Sequence, residues 1–313
     1  MKGGGRAGGG DNMVTSTFGE MAEKMLAELQ AEEGERFVCH FRWPVACIES
    51  HETRLSVRCE NGATHVADLA IVTIPLGVLK RGHTTLFRPN LPDWKVGAIN
   101  SLGVGTVGKL FLLFDSAFWR SGKPEEEASR AQWHFFPDMA ASSGGAAPGG
   151  YRIFLDLSAV LGVPVLVGFA GGLNATAVEE FTEQEAVGAA LQTLESGWRL
   201  GRSSLRSRLV SSVKTSWGND RFSYGAYSFL RANAGIKDRA LLQQSIAMGG
   251  DAPNVFFAGE HTSAQWAATV HGAIDTGIDA AEAVLASYDI KLNVDKKLKR
   301  SQNAKLKDRC VVC

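Results

Sequence analysis

The chain has 313 residues, with 33 Lys plus Arg against 33 Asp plus Glu, 45% hydrophobic and 21% charged residues. Zero net charge excludes a protein that holds polyanions over its whole surface, so the main body is not read as binding nucleic acid, and the apolar fraction excludes a disordered chain. The length suits about two domains, and five irregularly spaced cysteines do not make a disulfide framework, which points to a reducing compartment, cytoplasmic or nuclear.

The opening MKGGGRAGGG has no apolar h-region, so residues 1–10 read as a disordered start and not as a signal peptide. Thr17-Phe18-Gly19-Glu20 reads as a capping box that opens a helix with Met21, Met25 and Leu29 on one face. Strands are expected at RFVCHF, ACIES, TRLSVRCE and, after the Asn61-Gly62 turn, THVADLAIVTIPL. LPDWKVGAINSL reads as a helix, KLFLLF as a strand, and SGKPEEEASR and AASSGGAAPGG as loops. The uncharged run from Leu157 to Val178 is long enough to cross a bilayer, but Pro164 and four glycines interrupt it. It reads as a buried strand, PVLVGFA, between turns. A second capping box, Thr182 to Glu185, opens the helix EQEAVGAALQTLESGW. NVFFAGE is then a strand, followed by a small-residue helix near HGAIDTGIDAAEAVLASY. From Lys291 to the end eight basic residues stand against Asp295 and Asp308, about +6, so the remainder is about −6, and 289–313 reads as a basic tail.

Gly103-Val-Gly105-Thr-Val-Gly108-Lys109-Leu110 matches GxGxxG and GxxxxGK in letters. Both patterns cradle phosphates only where a strand enters the loop and a helix leaves it. Here a helix precedes and a strand follows, so the run reads as a glycine-rich strand entry. Cys39, His40, Cys47, His51, Cys59 and His65 lack the paired spacing of zinc clips, and no metal site is assigned. The terminal CVVC behind KKLKR and KLK has the shape of a polybasic region plus C-a-a-X, although Cys313 is not a usual final residue. Weak membrane-surface contact through this tail, with Cys310 as lipid acceptor, stays open beside a plain solvated tail.

Four blocks carry a resemblance. They are VTIPLGVLK at Val72 to Lys80, LFRPNLPDWKVGAINSLGVGTVGKLFLLFDSAFW at Leu86 to Trp119, SWGNDRFSYGAYSF at Ser216 to Phe229, and VFFAGEHTSAQWAATVHGAIDTG at Val255 to Gly277. In order and separation they resemble the flavin-dependent amine oxidases, the family of polyamine oxidases and LSD-type lysine-specific histone demethylases, over nearly everything from Asp11 to about Tyr288. The residues make chemical sense beside the resemblance. FFAGE is an apolar strand ending in a carboxylate suited to accept hydroxyl hydrogen bonds, and the helix after Thr269 opens with free N–H groups. Lys109, between Gly108 and an apolar strand, is either edge-exposed or desolvated and fit for acid/base work.

The resemblance implies an α/β chain of two-domain architecture, with FAD-binding parts at 11–105 and 236–288 around a substrate domain at 106–235. It implies FAD as cofactor, and a small-molecule amine and O2 as partners. Glu260 would bind ribityl or ribose hydroxyls, Thr269 and Val270 would lie at the flavin ring, Val45 at the adenine and Pro75 in a turn near the cofactor. Lys109 would hold a water near flavin N5, and Trp217, Phe222 and Tyr227, with Thr269, would wall the amine pocket. The implied reaction takes a polyamine C–N bond to an imine and yields hydrogen peroxide. The family opens with a strand, a GxGxxG turn and a helix that hold the FAD pyrophosphate. No counterpart is found before Asp11, so the expectation is a chain that begins late, lacks that cradle and leaves an exposed sheet edge. LSD-like demethylation of methyl-lysine and a non-catalytic remnant without FAD remain as alternative readings.

Overall fold

A computed structural model of the chain describes residues 17–51, 54–122, 131–136 and 150–288, together with the backbone of 310–312. Thr17 Oγ1 accepts from the Glu20 amide at 3.0 Å and starts α1 (Phe18–Glu33), whose stripe of Met21, Met25 and Leu29 remains exposed. The expected strand RFVCHF does not form. A single 3-10 turn ends at Arg36 and the chain stays irregular up to Pro44, because Val38 and Phe41 are exposed and the segment has no core to pack on.

An antiparallel meander follows: β1 (Val45–His51), β2 (Arg54–Cys59) and β3 (Thr64–Ala67). Gly62 takes φ +86° in the β2–β3 turn, the left-handed region that glycine enters without a Cβ clash. THVADLAIVTIPL, read as one strand, divides at Asp68. β3 stays in the meander, whereas β4 (Leu69–Val72) joins a different sheet, and Pro75 then caps α2 (Leu76–Leu86), a helix the sequence reading passed over. β5 (Phe87–Arg88) pairs in parallel with β1, which gives the order β3-β2-β1-β5.

The chain then forms α3 (Asp93–Ser101), β6 (Gly103–Gly105) and β7 (Val107–Phe114). Next come β8 (Gln132–Phe135), β9 (Ile153–Asp156), α4 (Ser158–Leu161) and β10 (Val165–Gly171). PVLVGFA is thus a strand, and no helix among the described residues is long and apolar enough to cross a membrane. α5 (Leu173–Glu179), α6 (Glu183–Gly197), β11 (Leu209–Lys214) and β12 (Tyr227–Phe229) follow, with the reciprocal Thr182–Glu185 box in place at the start of α6. The last elements are α7 (Ile236–Gln243), β13 (Val255–Phe257), α8 (Val270–Ser287) and β14 (Cys310–Val312). Residues 1–10, most of the two expected loops, and 289–309 of the tail lie outside the described residues.

The architecture is a mixed α/β fold with three apolar clusters. One gathers Ile48, Leu55, Val72, Leu79, Ile99 and Phe257 between the meander and α2, α3 and α7. A second, of Leu110, Leu112, Phe114, Phe154, Leu166 and Leu194, lies between a five-stranded antiparallel sheet of order β11-β7-β10-β9-β8 and α5 and α6. A third seats α8 on β13 and β4 through Leu69, Phe256, Ala280 and Val284. β13, β4 and β14 make a parallel sheet with β4 in the middle, Cys310 opposite Leu69 and Val312 opposite Ile71. β4 is thus the middle strand, with β13 and β14 as the outer strands of this sheet.

Residues on one face of a strand alternate, so register decides which side chains share a surface. In the five-stranded sheet Leu110, Leu112 and Leu166 face the helices. On the other face the pairing sets Lys109, Phe169, Ile153 and Phe135 in one cross-strand row and Val213, Phe111, Val167, Leu155 and Trp133 in the next.

Candidate active site

The segment from Ser216 to Phe229 is where the two larger clusters meet, and each of its anchors is identifiable. Thr215, just before it, is tied to Lys109 on β7: the Lys109 amide donates to Thr215 Oγ1 and the Thr215 amide donates to the Lys109 carbonyl, both at 2.9 Å. The Gly218 amide donates to Glu179 Oε1 at 2.8 Å, and a Cβ at Gly218 would sit 2.2 Å from Glu179 Oε2, so a side chain there would break the anchor. From the meander side, Arg221 makes two bonds to the Glu60 carboxylate at 3.2 and 2.8 Å, and the Arg81 guanidinium lies 3.9 Å from the centre of the Tyr224 ring. The loop also presses on the start of α2, where a Cβ at Gly77 would come within 2.3 Å of the Ser223 carbonyl oxygen.

Held this way, Trp217, Phe222 and Tyr227 are 45%, 54% and 43% exposed, which rules out core packing as their role. Tyr227 lies opposite Gly105 in the β12–β6 pair. Lys109 stands half-buried on β7 with its Nζ 5.3 Å from the centre of the Phe169 ring. Burial pushes Lys95 on α3 down to about 7. Its Nζ donates to the carbonyls of Leu241, Leu242 and Gln244 and closes the C-terminus of α7.

At the end of β13, Glu260 accepts three hydrogen bonds: from the Ser228 amide at 3.0 Å, the Ser228 hydroxyl at 2.7 Å and the Ala268 amide at 2.6 Å. Buried Arg239 donates to Ser228 Oγ at 2.7 Å and to the His261 carbonyl at 3.1 Å, and burial lowers its pKa. His261, enclosed beside it, is pushed down to about 4, first by burial. Gly259 has φ +136°, and a Cβ there would meet the His261 ring at 2.5 Å, so both conformation and space require glycine. Thr269 caps α8, accepting from the Gly272 amide at 3.1 Å and donating to the Trp266 carbonyl at 2.7 Å. The amides of Val270 and His271 head this 18-residue helix with no acceptor among the described residues.

These details test the fit of a flavin. A carboxylate has about four lone-pair positions. Glu260 spends three on protein donors, which leaves one for a hydroxyl, and the first turn of α8 offers two amides with the positive end of a helix behind them. The residues at this end fit the group. Glycines 103, 105 and 108 do not form a phosphate cradle: β6 and β7 are both strands, and a Cβ at Gly103 would lie 2.4 Å from the Phe229 ring. Val45 begins β1 and Pro75 caps α2. Direct anchors tie Lys109 to Thr215, two residues before Trp217, and tie Glu260 to Ser228 beside Tyr227 and to Ala268 beside Thr269. Phe169 at Lys109, Glu179 at the Gly218 amide and Arg239 at Ser228 are absent from the sequence assignment.

The chain matches the sequence profile of the flavin containing amine oxidoreductases over residues 6–285. It is 37% identical over 228 residues to polyamine oxidase 2 of Arabidopsis thaliana, covering 73% of this chain and 41% of that protein. It is 35% identical over 235 residues to polyamine oxidase 3 of Oryza sativa subsp. japonica, covering 75% of this chain and 43% of that protein. Histone demethylase-like protein A of Aspergillus fumigatus is 32% identical over 246 residues, with 76% of this chain and 21% of that protein covered. The chain thus spans about two fifths of the length of the two plant relatives. With most of its length matched by one profile, the chain belongs to the flavin containing amine oxidoreductase family, whose cofactor is FAD.

Proposed function

We propose that this chain oxidises the C–N bond of a polyamine to an imine, with O2 as final acceptor and hydrogen peroxide as product. The observation that carries the reading is the exposed aromatic segment of Trp217, Phe222 and Tyr227, anchored from both sides and tied through Thr215 to Lys109. When bound, FAD supplies the two-electron acceptor for the oxidation. Glu260 and the first amides of α8 would hold it, while Val45 and Pro75 are proposed for its adenine and turn contacts. The aromatic faces attract an amine, and their apolar surroundings favour its neutral form, the one with a lone pair to give. Lys109 would hold the water that hydrolyses the imine. A second reading, demethylation of methyl-lysine, draws on Thr269, which matches the position where the family often has a second aromatic.

The direct experiment is to purify the chain, add FAD and then a polyamine without oxygen. Bleaching of the oxidised flavin band, followed by peroxide when air is admitted, is the expected result. A chain that stays colourless after FAD is added contradicts the proposal and favours a non-catalytic protein. Bleaching by a methylated histone peptide and not by polyamines favours the second reading.

A further inference from the structure

β12 is three residues long and, among the described residues, pairs with β6 alone in a two-stranded sheet. Two strands by themselves are marginally stable in water, so the side chains of β12 must help to place it. They divide by alternation along the strand. Tyr227 and Phe229 lie opposite Gly105 and Gly103, whose missing Cβ atoms make room for the rings. A Cβ at Gly103 would be 2.4 Å from the Phe229 ring, and one at Gly105 would be 3.6 Å from the Tyr227 ring. The two aromatics are 43% and 44% exposed, whereas Ser228 between them is 2% exposed.

Both oxygens of Glu260 hold Ser228: its amide donates to Oε1 at 3.0 Å and its hydroxyl donates to Oε2 at 2.7 Å. Arg239 donates to the same hydroxyl oxygen, so Ser228 Oγ is donor and acceptor at once. Joined by this fork, the carboxylate and β12 keep one relative position. A ligand that needs Glu260 where it stands therefore needs β12 where it stands. A cofactor hydroxyl on the remaining lone pair of Glu260 makes that demand from one side, and an amine seated against Tyr227 makes it from the other. Two ligands that favour one arrangement favour each other, by the same factor in both directions.

We infer that Ser228 is a positioning residue that couples FAD binding at Glu260 to amine binding at Tyr227. The inference rests on the amine oxidase reading of that wall and adds that the two sites fill cooperatively. FAD is titrated into the purified chain, followed by its emission, with and without a saturating bis(trimethylammonium)alkane. Quaternary nitrogens bind aromatic faces and have no lone pair to give, so this probe occupies the wall without reducing the flavin. It should tighten FAD at least about fivefold, and FAD should tighten the probe by the same factor in isothermal titration. Ser228→Cys nearly keeps the volume but weakens both side-chain bonds, and should bring the factor to about two or less, while Ser228→Thr, which keeps the hydroxyl, should preserve it. Equal FAD affinity with and without the probe, no FAD uptake at all, or an undiminished factor in Ser228→Cys would overturn the inference. Turnover separates it from its parent reading. Polyamine oxidation with a factor of one removes the inference and keeps the oxidase, whereas coupled binding without flavin reduction by any polyamine removes the oxidase and keeps the inference.

Discussion

The two sides of the site are built on opposite physical plans. At the end of β13, buried polar groups satisfy one another: Glu260, Ser228, Arg239 and the His261 carbonyl form a network with defined partners. On its other face the five-stranded sheet sets Lys109 among apolar residues, with Val167 and Leu155 buried in the middle and Trp133 and Phe135 exposed toward one edge. A network of paired polar groups fixes geometry because each lost partner strands another. An unsaturated apolar face gives up little when it is changed, and gains only when something covers it. The comparison teaches that stability and selectivity are separable here: changes at the first surface should unfold the protein, and changes at the second should alter what it binds.

The largest expected effect breaks the network. Arg239→Ala leaves Ser228 and the His261 carbonyl short of a donor and removes the charge that interacts with Glu260, and should lower unfolding stability by about 3 kcal/mol in denaturant titration. Phe169→Ser, on that face of the five-stranded sheet, should change the same midpoint far less. If it cost as much, the division into two plans would fail.

Gly77→Ala comes next. The added Cβ would strike the Ser223 and Tyr224 carbonyls, so about 2 kcal/mol should be lost and the loop should loosen, read as faster proteolysis near Arg221. Gly97→Ala on α3, where nothing lies within 4 Å, should instead gain a few tenths of a kcal/mol up to about 1.

The pH dependence is a separate effect, and its sign follows from two buried bases. His261 is pushed down to about 4, so between there and the ordinary histidine range near 6.5 the unfolded chain holds the extra proton. Stability from this group is therefore lost as pH falls from about 6.5 toward 4. Lys95 is pushed down to about 7 from 10.5, and in that interval too the unfolded chain holds more protons, so stability rises as pH increases from 7 toward 10.5. Thermal unfolding across pH should show both slopes. Lys95→Met should remove the alkaline one and leave the acid one, and a Lys95→Met chain with an unchanged alkaline slope would contradict the assignment.

What was legible in the sequence was local. Thr17 and Thr182 cap helices because a hydroxyl three residues before an amide needs no distant partner, and PVLVGFA and KLFLLF are strands between breakers. RFVCHF failed because strand formation depends on a neighbour and a core that a six-residue pattern does not reveal. α2 was passed over because LGVLKRGHTTL follows β4 with only a short turn between, and its apolar residues continue the strand's run. In the site, residues that stand in motifs were found by resemblance, and those that act through register or long-range anchoring were not. Phe169 matters because it lies opposite Lys109, Glu179 because it takes the Gly218 amide, and Arg239 because it reaches Ser228. No spacing along the chain encodes those meetings.

The central claim is that Lys109 and the aromatic wall serve oxidation of an amine by bound FAD. Anaerobic mixing of the FAD-supplemented chain with N-acetylspermine, followed by admission of air, measures flavin reduction and reoxidation directly. The account predicts bleaching in the wild-type chain and at least about a hundredfold slowing of one of the two phases in Lys109→Met, with the flavin still bound. A Lys109→Met chain that bleaches and recovers at wild-type rates, or a wild-type chain that takes up FAD and does not bleach with any amine, would contradict it.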